Sequence, residues 1–484
     1  MGTENETNDN DELSLSDEDS NCDMEDTAFP PAEHDDEGVK ENDIFYENDE
    51  ENNEIYFISE EWNWDSWVTI DDDEDIPGPP DVDPYDGGHS LKDGVADSFE
   101  TVLACIFNTT AMDRDFFKRL AAQSNKYARA AMTRNNTRLY LGHKWENISV
   151  RDMVLFYGIM LRISMSPRKM GGYASYFQNN PVISLGGGYA VGLRGFEPWA
   201  KDIMSLVRFK QIRSAFHPEA TATSESGDKC HQLRYFIRRF NQKAKEIFIL
   251  GRMVSFDEGG IAMRSRFCPV QMYNKDKPAK FRVDFFILAD AKYYFISHLD
   301  VYQGANDRNV DVMPSVKHLP TTQKAVANAI LQSGIDNDVD GCRHIYMDNR
   351  YAAPQLLALM ISSWNIRGVG TCKASRIGFD SEALAIDKKA ERGSFLRLVD
   401  PRLGMVITRW RDSKDLQTVS TVMVKGIGSV FRQVGKDKIE VRCPNDIIMY
   451  QENMGGVDRG DQHRIMGAGF SNVAHFKKMY KKLI

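Results

Sequence analysis

Residues 344–354 read His344-Ile345-Tyr346-Met347-Asp348-Asn349-Arg350-Tyr351-Ala352-Ala353-Pro354, and residues 366–372 read Ile366-Arg367-Gly368-Val369-Gly370-Thr371-Cys372. His344 to Met347 has the composition of a short strand that ends in Asp348. Pro354 suits the first turn of a helix, where its missing N–H would have no partner anyway. Leu356, Leu357, Leu359, Met360 and Ile361 supply that helix with apolar residues, and Ile366 to Cys372 returns as a strand. Strand, helix and strand in so few residues predict a β-α-β unit and an α/β fold.

Upstream, Met253-Val254-Ser255-Phe256 is a strand-like run ending in Asp257. Phe281 to Leu288 and Tyr293 to Val301 are aromatic and β-branched, and the intervening Ala289-Asp290-Ala291-Lys292 predicts a hairpin turn. Downstream, residues 394–443 hold the short β-like runs Met405–Trp410, Val419–Val424 and Ile439–Arg442, with few helix signals. Before Met253 the pattern is helical: Phe99, Val102, Leu103, Ile106 and Phe107; an Ala-rich stretch from Phe116 to Met132; and Val150 to Ile163. Residues 233–248 place Leu233, Phe236, Ile237, Phe240 and Ala244 on one stripe, with Arg234, Arg238, Arg239 and Lys243 expected on the solvated side. Gly186-Gly187-Gly188 lacks the Lys-Ser/Thr of a phosphate-binding loop and reads as a turn.

At 484 residues the chain exceeds one ordinary core, so at least two domains and tails are expected. No apolar run reaches the roughly 18 residues of a membrane span, and the first residues lack a signal-peptide pattern, which predicts a soluble intracellular chain. The seven cysteines are odd in number and contain no Cys-x-x-Cys pair. That argues against a disulfide framework and against a zinc module, and leaves plain buried thiols.

The net charge of −11 conceals a segregation. Residues 1–90 carry 33 acidic residues against the single basic Lys40, whereas residues 91–484 carry a net +21. Residues 1–95 are therefore expected to be a disordered acidic tail, since charge repulsion and ordering entropy outweigh the apolar surface available. Its aromatics, among them Trp62, Trp64 and Trp67, sit among acids as in segments that order on a partner. A basic body behind an acidic tail points to a polyanion partner; a solvated surface with a solubilising tail is the plainer alternative. Ser14 and Ser16 each have an acid three residues on (Asp17 and Asp19), the pattern acidophilic kinases favour. Such a kinase and a homodimer stand as further partner expectations, with no membrane.

Asp257 and Asp348 each close an apolar strand, and Asp458 and Asp461 lie three residues apart in Gly455-Gly456-Val457-Asp458-Arg459-Gly460-Asp461-Gln462. On a helix that spacing puts both on one face. Carboxylates that converge repel one another unless a cation lies between them, and hard divalent ions such as Mg²⁺ take oxygen ligands. An Asp after a strand is also a common turn former or helix cap, so spacing alone leaves both readings open.

The words around these carboxylates resemble piggyBac-type DNA transposases, from about residue 97 to the last. The first is Phe256-Asp257-Glu258 followed by Arg264-Ser265-Arg266-Phe267-Cys268-Pro269-Val270-Gln271-Met272-Tyr273 and Lys277-Pro278-Ala279-Lys280. The second is Met347-Asp348-Asn349-Arg350-Tyr351, and the third is the Gly-Gly-Val-Asp-x-x-Asp-Gln word at 455–462. The resemblance implies a ribonuclease-H-like core with a catalytic, metal-binding triad of Asp257, Asp348 and Asp458, and Asp461 as a further metal-side carboxylate. It implies Mg²⁺ or Mn²⁺ as cofactor, two ions, double-stranded DNA as partner, a nuclear location, and strand cleavage and transfer through hairpin intermediates at TTAA targets. The expected organisation is an acidic tail (1–95), a helical domain (97–250), a first core part (251–372), a β-rich insertion (373–445) and a third-Asp segment (446–484). Gly370-Thr371-Cys372-Lys373-Ala374-Ser375-Arg376 resembles a family segment whose basic residues face DNA, which implies Lys373 and Arg376 as phosphate contacts; an exposed basic strand end is the alternative.

Two departures stand out. Arg350 occupies a position where the family usually has an aromatic residue. The chain also stops at Phe476–Ile484, where the family starts a helix that completes the core and where many members add a cysteine-rich zinc domain. A C-terminally shortened transposase or its remnant is the leading expectation. A domesticated, catalytically idle DNA- or chromatin-binding protein is the second, and an RNA-binding protein with an acidic interaction tail the more remote third.

Overall fold

The computed structural model describes Val68–Ile70, Ser90–Leu91 and most of residues 113–467, the described stretches being interrupted chiefly at 134–144, 166–172, 178–181, 185–189, 193–197, 220–227, 305–311, 337–340 and 374–383. The expected helix around Phe99–Phe107 and the turn at Gly186–Gly188 lie outside the described residues.

Four helices come first: α1 (Arg114–Thr133), α2 (Val150–Met165), α3 (Leu206–Ala215) and α4 (Arg234–Ile247). Phe116, Phe117, Leu120 and Ala128 recur on one side of α1 and are buried against Phe156 and Tyr157 of α2 and Phe209 and Ile212 of α3. A capping box opens α2: the Asp152 N–H donates to Ser149 Oγ at 3.0 Å, and the Ser149 N–H donates back to Asp152 Oδ2 at 2.9 Å.

The stripe on α4 differs from its expectation. Arg234 is buried, because its guanidinium donates to Asp228 at 2.7 Å and to Asp300 at 2.8 Å. Asn241, about two turns further along the same face, donates to the Leu299 carbonyl at 3.0 Å and accepts from the Leu299 N–H at 2.9 Å. An arginine can face inward when two carboxylates meet it there, so apolar spacing alone assigns the wrong side.

The sheet follows: β1 (Met253–Ala262), β2 (Phe281–Asp290), β3 (Ile296–Val301), β4 (Arg343–Met347), β5 (Ile366–Thr371), β6 (Phe395–Asp400), β7 (Met405–Arg411) and β8 (Asp415–Ser420). Ten strands form one mixed sheet in the order Val68–Ile70, β6, β7, β8, β5, β4, β1, β2, with Met272–Tyr273 and β3 both paired to β2. β4 runs parallel to β1 and to β5; the other pairings are antiparallel.

Helices α5 (Thr321–Ser333) and α6 (Pro354–Trp364) contribute to the main core. There Val326 and Ile330 of α5 and Leu356, Leu357 and Met360 of α6 meet Phe256, Leu288, Ile345 and Met347. A second cluster joins Ile237 of α4, Phe285 and Ile287 of β2 and Val457. The hairpin β9 (Ile427–Val434) and β10 (Asp437–Pro444) forms its own two-stranded sheet and leads into α7 (Asn445–Asn453) and α8 (Gly456–Gly467).

Several boundaries move. β1 does not stop at Asp257 but continues to Ala262. β2 extends to Asp290, whose Oδ1 accepts the N–H groups of Lys292 and Tyr293 at 2.9 and 2.8 Å, so the turn comes later than Ala289. The run expected at Val419–Val424 ends as a strand at Ser420, where the Ser420 hydroxyl closes a local turn with Val422. Within the segment expected to be a disordered tail, Val68–Ile70 pairs with β6 and Ser90–Leu91 pairs with Phe248–Ile249. The five described cysteines are buried free thiols, as expected. Among the described residues no helix is long and apolar enough to cross a membrane.

Candidate metal centre

β4 ends at Met347, directly opposite Phe256 of β1, so from Asp257 onward β1 has no parallel neighbour on that side. The notch lies beyond the carboxyl end of β4, the place where open α/β sheets form crevices. Asp348 turns out of β4 into it. The Asp348 carboxylate accepts the Arg350 N–H at 2.8 Å, and its carbonyl accepts the N–H groups of Tyr351 and Ala352, a tight turn that leads into α6.

Three carboxylates meet there. Oxygens of Asp257, Glu258 and Asp348 all lie within 4.8 Å of one another. The structure thus brings Asp257 and Asp348 together. Glu258 is the member that spacing does not suggest, because neighbours on a strand ordinarily point to opposite faces. Its only sequence signal is its place in the Phe-Asp-Glu word.

Burial, then the charges of Glu258 and Asp348, push the Asp257 carboxyl far above the usual carboxylate range. For Glu258 burial acts in the same direction, but the Arg350 guanidinium, then the hydrogen bonds from the Asp257 carboxyl and the Tyr351 hydroxyl, hold it below its ordinary value. Glu258 accepts from both Arg350 and Tyr351. Tyr351 is held in turn by its edge-on contact with Phe256, 4.8 Å between centroids. A site that forces a proton onto Asp257 is one that a divalent cation would relieve, and its hard oxygen donors suit such an ion.

Helix α8 brings the third acidic word to the same strand. The Gly456 N–H donates to Ser255 Oγ at 3.2 Å, and Asp461 Oδ2 accepts the Gly260 N–H at 3.1 Å. The anchors lie on either side of Asp257 along β1. A Cβ on Gly456 would stand 2.4 Å from Ser255 Oγ and 3.0 Å from the Ala291 Cα, and one on Gly259 would meet Ile287 and Asp461, so glycines set this close approach. Asp458 lies in the first turn of α8 and is exposed. Asp458 and Asp461 do not belong to the group of three carboxylates within 4.8 Å; Asp461 instead binds Gly260 and Arg464.

Lys373 follows β5 and, with Asn349, Cys372, Arg409, Asp415 and Gln417, lines a cleft next to Asp348. Arg409, which spacing did not single out, is paired with Asp415 at 2.9 Å. Arg376 lies outside the described residues.

A family model described as Transposase IS4 matches residues 106–483. The chain belongs to this transposase family. Its curated relatives are piggyBac-derived. The human PiggyBac transposable element-derived protein 3 is 30% identical over 268 residues, which cover 53% of this chain and 42% of that protein. The human Chimeric ERCC6-PGBD3 protein is likewise 30% identical over 268 residues, covering 53% of this chain and 24% of that protein. This transposase-family chain therefore spans less than half the length of these relatives. The cryo-EM structure of a piggyBac transposase synaptic complex with hairpin DNA superposes with a TM-score of 0.61 at 17% identity, over 82% of this chain and 73% of that one. The likeness is one of fold: a mixed α/β architecture around a large sheet.

Proposed function

We propose that this chain is a piggyBac-type transposase that cleaves and transfers DNA strands with divalent metal ions, on a ribonuclease-H-like core in the nucleus. The observation that carries the reading is the convergence of Asp257 and Asp348 at the notch beside β1. The strand order supports the core: β1, β2 and β3 form an antiparallel meander, and β4 and β5 follow on the other side of β1, parallel to it. The domain divisions inferred from the sequence form part of the same proposal, with the insertion at 373–445 contributing β6, β7 and β8 to the sheet edge.

Asp257 and Asp348 would hold the ion, with Asp458 as the third ligand supplied by α8 and Asp461 fixing that helix to β1. Bound Mg²⁺ or Mn²⁺, two ions in the full site, would activate the attacking oxygen and stabilise the leaving one. The protein's own part is placement. The turn at Asp348–Tyr351 aims one carboxylate, β1 aims another, and the α8 anchors bring the segment carrying Asp458 alongside. Lys373 and Arg376 would bind backbone phosphates of duplex DNA next to this centre.

The exposure of Asp458, outside the group of three, favours one second reading: a domesticated member that binds DNA without cutting it. Mg²⁺- or Mn²⁺-dependent nicking of duplex DNA separates the two. Asp257→Asn, Asp348→Asn and Asp458→Asn should each abolish nicking with the fold intact, since each removes a charged ligand. Equal activity in the Asp348→Asn protein would remove the triad assignment, and an inactive wild type that still binds DNA would favour the second reading.

A further inference from the structure

Arg350 touches two of the three carboxylates at the notch. Its backbone N–H donates to Asp348 at 2.8 Å, and its guanidinium pairs with Glu258. The pair is largely withdrawn from water, with the Arg350 side chain 18% and the Glu258 side chain 10% exposed. The guanidinium also lies over the ring of Tyr302, 5.2 Å from its centroid, and near that of Tyr351. Tyr351 donates its hydroxyl to the same Glu258 oxygen that Arg350 binds. Glu258 is thus already provided with a cation and a second donor.

We infer that Arg350 is an internal counter-cation that neutralises Glu258 and withdraws it from coordination, so that a divalent ion at this group is held by Asp257 and Asp348 and not by Glu258. The inference rests on the metal reading above. With the proton on Asp257 displaced by a bound cation, the three carboxylates would carry three negative charges. A guanidinium, charged at every accessible pH, cancels one and leaves two at this group, enough for one of the two ions proposed above. A fixed positive charge beside the ion also repels it, so Arg350 sets how tightly the site binds metal as well as which oxygens bind it. Arg350 is a positioning residue here; it acts through Glu258 and the turn at Asp348.

The two roles for Glu258 make opposite forecasts in a double-mutant cycle read by Mn²⁺ binding to the full chain, followed by electron paramagnetic resonance. As a neutralised pair, Arg350→Gln should bind Mn²⁺ at least about threefold more tightly and Glu258→Gln at least about threefold more weakly, while the double variant returns to within about twofold of wild type. If Glu258 is a ligand, the double variant stays as weak as Glu258→Gln, and the inference fails. It fails equally if none of the three variants changes affinity, which is the outcome for a purely structural ion pair. Arg350→Lys, which keeps the charge, should bind within about twofold of wild type, and it answers the question if Arg350→Gln does not fold; a gain in affinity there would overturn the inference. Asp257→Asn separates the two levels of argument. A wild type that binds no Mn²⁺, or binds it no better than Asp257→Asn, removes the metal reading and this inference with it, whereas normal loss in Asp257→Asn with a failed cycle removes the inference alone.

Discussion

His298 on β3 is 2% exposed, opposite Leu288, and its Nδ1 is buried without a hydrogen-bond partner among the described residues. Burial pushes its pKa down to about 4. His344 on β4 is lowered to about 3 by burial and then by the charges of Arg252 and Arg367. A histidine depressed in the folded state binds its proton more readily when unfolded, so its share of stability is complete above the unfolded value of about 6.5 and falls as pH drops toward the folded one. Asp257, raised in the folded state, works in the opposite sense over the same window, so the test is a difference. The stability gap between wild type and His298→Gln should shrink from pH 6.5 to pH 4 by up to about 1.4 kcal/mol per pH unit, measured by denaturant titration at several pH values. A constant gap would show that His298 takes up its proton equally in both states. At this scale Asp257 and Asp348 stood out because each closes an apolar run, but only the words around them, through the family resemblance, favoured a metal site over a turn or cap. Glu258 and the inward Arg234 were not, because each depends on partners that arrive from far along the chain: Arg350 for one, Asp300 for the other.

Among the elements, the β-α-β unit over 344–372 could be read from the sequence, since its apolar runs, Pro354 and short connections agree with one another. Helix α8 was only a conditional reading of the acidic spacing, because a segment with Gly455, Gly456 and Gly460 has low helix propensity and owes its form to packing on β1. Gly456→Ala should therefore cost about 1–3 kcal/mol although alanine is the better helix former, because the added carbon meets the Ala291 backbone. Thermal unfolding of that variant checks it, and an unchanged or higher midpoint would mean that α8 can shift. The clamp of α4 on β3 makes a second case. Arg234→Met should cost about 3–5 kcal/mol, since Asp228 and Asp300 lose their shared cation in a buried place. Asp228→Asn alone should cost less, because Arg234 keeps Asp300. The joining of β8 to β5 had no signal in the sequence, as the antiparallel partner of β5 comes only after β6 and β7.

Over the whole molecule, charge is the dominant feature, and it was legible by counting alone. Residues 1–59 carry a net −21, so a chain that starts at residue 60 carries +10 and still keeps Val68–Ile70 on β6. If the acidic residues compete with DNA as a tethered polyanion, that shortened chain should bind duplex DNA more tightly than the full one at low salt, and the two should converge as salt rises. Its affinity should fall by about 0.9 log units per log unit of salt for each phosphate neutralised. Matched salt titrations decide the matter, and superimposable curves at low ionic strength would leave the tail with no competing role. Phosphate on Ser14 or Ser16 would add about −1.5 to −2 charges each and should deepen the inhibition in the full chain.

The pairing of Val68–Ile70 with Val399, Leu398 and Arg397 also fixes an order of events. The outermost strand of the sheet leaves the ribosome early, yet its partner strand is made only after more than three hundred further residues. During synthesis it has no place to go, and β6, once made, has a vacant edge until the two find each other. Contacts that span so much chain form late and slowly. At about 5–20 residues per second, the interval in translation alone is tens of seconds, long enough for a holding chaperone to engage the waiting strand.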